Sequence, residues 1–372
     1  MKITSIETIP VLVPIRRDLA IRSALGGVHD RSPFLLVKVQ TDTELVGLGE
    51  VSCTPRWSGE DQVSAAHFIQ TYYAPALVDR DPTRIDEITR EVFPLVAGNT
   101  FTRAAVEMAL WDLAGKTAGR PVYELLGGKI RDAVATKWSI SGAAPAEAAE
   151  IARRAKEQGF LAMKVKVGLG VDDDVARVSA VRAAIGPEIR LGVDANGGWG
   201  DPATAIGAID RLRPLDIAFV EQPVPAGDPE QMAEVRRSAG LPILADESIY
   251  SLADARQLAR ASACDVFSIY VGKSGGIGPA REIATFARTQ GIAATIGSNL
   301  ELGVGAAAML HLAVAHRGID PDRYPCDIIG PLYYEDDILA TPLSLGNGRA
   351  IPTERPGLGV ELDDAKVEKY RV

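Results

Sequence analysis

The chain has 372 residues, 47% of them hydrophobic and 24% charged, with 40 Lys and Arg against 49 Asp and Glu for a net charge of −9. At about 150 residues per domain that is two or three domains, or one large barrel with a smaller companion, and the composition excludes a disordered chain, a collagen, a coiled coil or a small disulfide scaffold. The acidic balance argues against a general nucleic-acid binder and against attachment to anionic lipid, since both need a basic surface. In chain order, residues 2–14, 33–41 and 44–51 read as strands, the last two joined by a short turn at Thr41–Thr43 as in a hairpin. Helical patterns follow at 60–74, roughly 83–95 and 100–118, with Ala104, Met108, Trp111 and Leu113 of the third placed near one face. Residues 1–125 therefore read as an α+β capping domain. Its glycine-containing link at about 16–31 and its loop at about 53–60 are candidate lids.

From Ala133 the rhythm changes. Short apolar runs at 136–141, 162–167, 190–195, 217–222, 242–247, 266–272, 293–297 and near 326–330 alternate with amphipathic stretches of helical length. About eight strand–helix units imply a parallel sheet with right-handed crossovers, here a modified (β/α)8 barrel over 126–342, complete or one helix short. Residues 343–372 lack that rhythm and are expected to return to the capping domain.

Cys53, Cys264 and Cys326 are odd in number and far apart, so neither a disulfide framework nor a thiolate zinc site is expected, and a reducing compartment fits. The first twenty residues, interrupted by Pro10 and Pro14, do not read as a signal peptide, and the apolar stretch 303–315 falls short of the ~20 residues that span a bilayer. The expected setting is cytoplasmic, with no membrane partner.

Active sites of such barrels lie at the C-terminal ends of the strands. There the sequence places Lys164-Val165-Lys166 on strand two, Asp194 on three, Glu221 on four, Asp246 on five and Lys273 on six, each one β/α unit from the last. Three carboxylates facing one mouth repel one another and call for a cation. An all-oxygen set favours Mg2+ over zinc. Alternation along a strand puts Lys164 and Lys166 on one face, and two adjacent ammonium groups are expected to lower the pKa of one or both. Lys273, four strands round, stands opposite. A cation between opposed amines suits the removal of a proton α to a carboxylate, with the enediolate charge neutralised as it forms. Lys or His bases with Mg2+ are the documented solution in the enolase superfamily.

The motifs KVKVG at 164–168, VDANGGW at 193–199, VEQPV at 220–224, ADES at 245–248 and GKSGGIG at 272–278 together resemble the enolase superfamily over nearly the whole chain, and within it the muconate lactonizing enzyme subgroup. The resemblance implies Asp194, Glu221 and Asp246 as ligands of one Mg2+ (with Mn2+ as substitute). It also implies Lys166 and Lys273 as the acid/base pair, Lys164 as the group that tunes Lys166, and a homo-oligomer. The mandelate racemase subgroup needs a histidine after strand seven, where this chain reads IGSNLE at 296–301.

Asn196 is read either as a support for a cation ligand or as a turn former, and Trp199 as core. Glu301, Asp327, Trp57 and Arg22 are candidate substrate contacts. Gly272-Lys273-Ser274 is not a phosphate loop, because Phe267 stands where a glycine is needed. His311 and His316 lie on different helix faces and make no metal site. The expected activity is that of a cycloisomerase, with a racemase or epimerase of an amino-acid derivative, or a dehydratase, as the alternative. Ile329 replaces the second Asp of the Asp-x-Asp typical of dipeptide epimerases, which argues against a dipeptide. A silent carboxylate-binding barrel has no need of two opposed amines, and a Schiff-base aldolase has no need of three carboxylates.

Overall fold

The computed structural model describes residues 1–25 and 28–372, with only the backbone of Val28 and His29. Three antiparallel strands form the capping sheet in the order β1 (Ile3–Pro14), β2 (Arg31–Thr41), β3 (Val46–Ser52). Strand alternation gives β2 two buried faces. Leu35, Val37 and Val39 join the core beneath the capping helices, whereas Phe34 and Leu36 join the core shared with the barrel.

Helix α1 (Gln62–Phe68) opens with an Asp61–Ser64 capping box and runs on through a π-helical turn at Ile69–Tyr73 to Ala74–Leu77. After α2 (Ile85–Glu91), helix α3 (Thr100–Ala118) has its expected limits but not the single apolar face read from the sequence. Ala105, Ala109 and Leu113 face the capping-side core, while Ala104 and Met108 face the barrel side. Trp111 touches both and stays partly exposed. The helix lies so close to β3 that a Cβ at Gly49 would stand 1.8 Å from the Ala105 carbonyl oxygen. A helix clamped on two sides cannot display one stripe.

Seven parallel strands make the barrel sheet: β4 (Trp138–Ile140), β5 (Ala162–Lys166), β6 (Arg190–Asp194), β7 (Ile217–Glu221), β8 (Ile243–Ala245), β9 (Val266–Ile269) and β10 (Ala293–Ile296). The eighth run, expected near 326–330, is not a regular strand. Cys326 bridges Thr136, and the Asp327 N–H donates to the Ile296 carbonyl, so this segment links β10 to the strand-one side. Pro325 lacks a donor and a 3₁₀ turn begins at Gly330, which leaves no room for a longer ladder. Residues 344–351 form a hairpin on Val134–Ala135, and the last helix, Asp364–Tyr370, packs against β1.

Two buried carboxylates seat the capping domain on helix starts of the barrel. Glu50 of β3 accepts from Leu302 N at 2.7 Å and Gly305 N at 2.9 Å, and Glu107 of α3 accepts from Ile277 N at 2.7 Å and Gly278 N at 2.8 Å. Each carboxyl group satisfies amide groups that a helix start leaves unpaired. Burial pushes Glu50 up to about 8 and Glu107 up to about 7, against the pull of those amides. Among the described residues no helix is long and apolar enough to cross a membrane.

Candidate active site

Registers of the parallel sheet place Lys166 beside Asp194 and Asp194 beside Glu221, so three neighbouring strands end at one level. Asp246 is the first residue beyond β8, two positions past the Leu244 that pairs with Glu221, and therefore has the same parity. Lys273 does not end a strand as expected. It lies on a helical turn, Val271–Ser274, which begins two residues after β9. Val165 points outward into the apolar core, leaving Lys164 and Lys166 inside.

Lys164 Nζ donates to Glu221 Oε1 at 3.0 Å and to Asp327 Oδ2 at 3.1 Å, and lies 3.2 Å from Asp194 Oδ2. Lys166 Nζ donates to Asp194 Oδ2 at 2.7 Å and Asn196 Oδ1 at 2.9 Å. Lys273 Nζ donates to Asp246 Oδ1 at 2.5 Å and to the carbonyls of Asp246 and Ser268, and stands 4.0 Å from the Tyr270 ring centroid. The Tyr270 hydroxyl donates to Asp246 Oδ2 at 2.7 Å. Lys166 keeps 14% of its side chain exposed against 4% for Lys164 and none for Lys273, so Lys166 is the amine most open to the cavity.

The lowered pKa expected for the lysine pair is not what Lys164 has. Burial lowers it, but Asp327, Glu221, Asp194 and Asp246 outweigh burial and hold it well above the usual lysine value. Carboxylates outnumber the neighbouring ammonium, so attraction wins. Asp194 is buried, which favours its neutral form, yet Lys166 and Lys164 hold it well below the usual carboxylate range. Burial raises Glu221 to about 8, Lys164 opposes the rise and Asp194 and Asp246 add to it.

A cavity of about 420 Å³ opens above these groups. Both candidate lid segments line it, one through Ile21, Ser23, Leu25, Asp30 and Arg31, the other through residues 53–57. Trp57, Asn196, Asp327, Lys164 and Lys166 reach the lining, as does Ile329. Arg22 and Glu301 do not. The Arg22 backbone pairs with Ser141 and Gly142, and Glu301 is buried, accepting from Ser298 Oγ and Asn299 N to shape its own loop. Lys273 is also absent from the lining, behind Tyr270 and the Trp57 ring that stacks on it at 5.4 Å. Trp199 is core, with its indole N–H on Asp174.

Sequence reasoning missed Lys137, Glu247 and Tyr270. Lys137 Nζ lies 3.0 Å from Asp327 Oδ2, so Asp327 is held between two lysines. A lone cation in the apolar run 134–141 was the available signal. Glu247 was overshadowed by its neighbour Asp246. Backbone geometry is also unusual here: Asn196, Gln222 and Leu300 adopt positive φ of 44°, 38° and 58° just beyond strand ends.

A capping sheet closing a parallel barrel, with carboxylates and lysines converging at the strand ends, defines the class as enolase-like. The chain matches the family "Mandelate racemase / muconate lactonizing enzyme, N-terminal domain" over residues 5–127 and "Enolase C-terminal domain-like" over residues 146–366. It belongs to this family, in the muconate lactonizing enzyme subgroup of the enolase superfamily. It is 34% identical over 377 residues to muconate cycloisomerase 1 of Rhodococcus opacus, covering 100% of this chain and 98% of that one. The crystal structure of N-succinyl Arg/Lys racemase from Bacillus cereus superposes with a TM-score of 0.94 at 32% identity, covering 100% and 98%. A dipeptide epimerase from Enterococcus faecalis, solved with Mg and a dipeptide, gives 0.91 at 31% identity, covering 97% and 100%. All three relatives are isomerases.

Proposed function

We propose that this isomerase moves a proton at the carbon α to a substrate carboxylate, most directly as a cycloisomerase of a dicarboxylate. The reading rests on one observation: Lys166 at the end of β5 and Lys273 on the turn after β9 approach the same row of carboxylates, with three strands between β5 and β9.

Asp194, Glu221 and Asp246 are the residues that would hold a divalent cation, Mg2+ with Mn2+ as substitute. Among the described residues no three His, Cys, Asp or Glu side chains already converge on one point, because ammonium groups stand between them. The donor set nonetheless fits. It is all oxygen and buried, and Asp194 and Glu221 already share one cation, the Lys164 ammonium, between them. Five acids (Asp194, Glu221, Asp246, Glu247, Asp327) stand beside four amines (Lys137, Lys164, Lys166, Lys273); with all of them ionised the net charge would be about −1, which a dication would reverse to receive an anionic substrate. When bound, such an ion supplies charge neutralisation for the enediolate formed by proton loss.

The chain's own groups do the rest. Lys166 faces the cavity and takes or returns a proton on one side of the substrate. Lys273, held by Asp246 Oδ1 and the carbonyls of Asp246 and Ser268, stands across the row of carboxylates, where its amine would serve the other side, while Asp246 would help to hold the cation. In cycloisomerisation a substrate carboxylate oxygen adds to a carbon–carbon double bond, one lysine delivers its proton to the resulting carbanion, and the opposed ammonium stabilises the negative charge that forms. In racemisation both lysines take part, one removing the proton and the other replacing it. Arg31 and Arg56, exposed on the cavity lining and without an ion-pair partner among the described residues, favour a substrate with a second acidic group. Muconates and N-succinyl amino acids both have one.

The test is incubation in D2O with Mg2+ and a set of muconates and their lactones, N-acylamino acids, dipeptides and proline derivatives, read by NMR. Exchange of the α-proton in a dicarboxylate or its lactone is expected. Folded, Mg2+-bound protein that exchanges no member of the set overturns the reading.

A further inference from the structure

Resting on that reading, we propose that Glu247, acting through Asn196, is a positioning residue that ties the capping-loop residue Trp57 to Lys166. Glu247 Oε1 accepts from Trp57 Nε1 at 3.2 Å and from Asn196 Nδ2 at 2.7 Å. Asn196 Oδ1 in turn accepts from Lys166 Nζ at 2.9 Å. Three hydrogen bonds thus connect residue 57 of the capping domain to the most exposed of the barrel-mouth lysines.

The direction of this chain of bonds is fixed by chemistry. A protonated lysine only donates, and Glu247 Oε1 already accepts from the Trp57 indole N–H, so the amide between them sits with its oxygen toward Lys166 and its nitrogen toward Glu247. Without the carboxylate the amide is free to turn its NH2 toward the ammonium, and the lysine is left with Asp194 Oδ2 as the one acceptor of the two that hold it. The Asn196 backbone is already committed: φ is 44° and its N–H bonds Asp194 Oδ1 at 3.1 Å, so the side-chain amide is the adjustable part. Glu247 stands where only a barrel residue and a capping residue together complete it. Its other oxygen, Oε2, is buried with no hydrogen-bond partner among the described residues, so the Oε1 bonds carry its orientation. The same indole covers the second lysine, stacking on Tyr270 at 5.4 Å with its ring 5.7 Å from Lys273 Nζ. The indole N–H, the one donor of the Trp57 side chain, is given to Glu247 on the Lys166 side, and that asymmetry makes the proposal testable.

The experiment measures α-proton exchange in D2O for each enantiomer of a chiral substrate that the wild type exchanges. The enantiomer served by Lys166 is the one whose exchange Lys166→Ala abolishes. Glu247→Ala is expected to slow that enantiomer by roughly 10- to 100-fold, the scale of a misaimed reacting group, and to leave the other nearly unchanged. Glu247→Gln keeps a carbonyl oxygen for the same bonds and restores most of the loss. Trp57→Phe keeps a ring over Tyr270 but removes the N–H, and gives a smaller loss with the same handedness. Equal slowing of both enantiomers by Glu247→Ala, or, where that variant fails to fold, by Trp57→Phe, overturns the proposal, and so does no slowing of either. Absence of exchange by the wild type overturns the proton-transfer reading instead, so the two failures are distinguishable.

Discussion

Lys164 and Glu221 form a buried ion pair inside the barrel, the ammonium 3.0 and 3.2 Å from the two carboxylate oxygens. Glu221 cannot lose this ammonium without being left buried and unpaired, whereas Lys164 also has Asp194 and Asp327. Breaking such a pair costs about 3–5 kcal/mol. Lys164→Met is therefore expected to lower unfolding free energy by about that amount in urea titrations. Unchanged stability would mean that the surrounding carboxylates do not depend on this ammonium.

The proposed cation ligands separate from their neighbours by titration. Loss of outer-sphere partners alone costs ~10–100-fold in metal affinity. Calorimetry should show Glu221→Ala and Asp246→Asn losing Mg2+ affinity by more than about 100-fold. Asp327→Asn, at a carboxylate held by Lys137 and Lys164, should change it little. Similar losses at all three positions would deny the first two a special role.

The docking of the capping domain should depend on pH through Glu50. Its value in the fold, about 8, lies above its ordinary value of 4.5 because burial disfavours the anion. The folded form therefore binds the proton more tightly than the unfolded chain. The resulting stabilisation is full below about pH 4.5 and is lost as pH rises through about 8. Glu50→Gln cannot ionise. It should have a lower Tm at pH 5, since one of the two amides at the start of the 303–315 helix loses its acceptor, and a smaller fall in Tm between pH 5 and pH 8 than the wild type. Parallel Tm profiles would remove Glu50 as the titrating group.

Arg31 and Arg56 should act on binding rather than on chemistry. Replacing either by Ala is expected to raise KM about 10-fold for a substrate with a distal carboxylate, the scale of one lost charge-assisted hydrogen bond, with kcat little changed. Equal effects on substrates lacking that second acid would refute the assignment.

Much of this architecture is legible in the sequence, because strand–helix periodicity and the in-phase acids at Asp194, Glu221 and Asp246 are local signals. What escapes has a non-local cause. Glu50 and Glu107 look like ordinary surface acids until the capping domain meets the helix starts at Leu302 and Ile277. The turn that holds Lys273 follows too short a strand to be seen by apolar run length, and the 3₁₀ turn from Gly330 interrupts what reads as an eighth strand. The upward shift of Lys164 depends on Asp327, which is more than 160 positions away and arrives only when the barrel closes. Arg22 and Glu301 sit at the right places along the chain but lie outside the cavity lining, which residue position does not reveal.

The two-lysine claim is tested most directly by Lys166→Ala and Lys273→Ala, each assayed for turnover and for α-proton exchange in D2O, with circular dichroism and Mg2+ titration as controls. The account expects both variants to stay folded, to bind Mg2+ and to lose turnover. Near-wild-type turnover in either folded variant would contradict it.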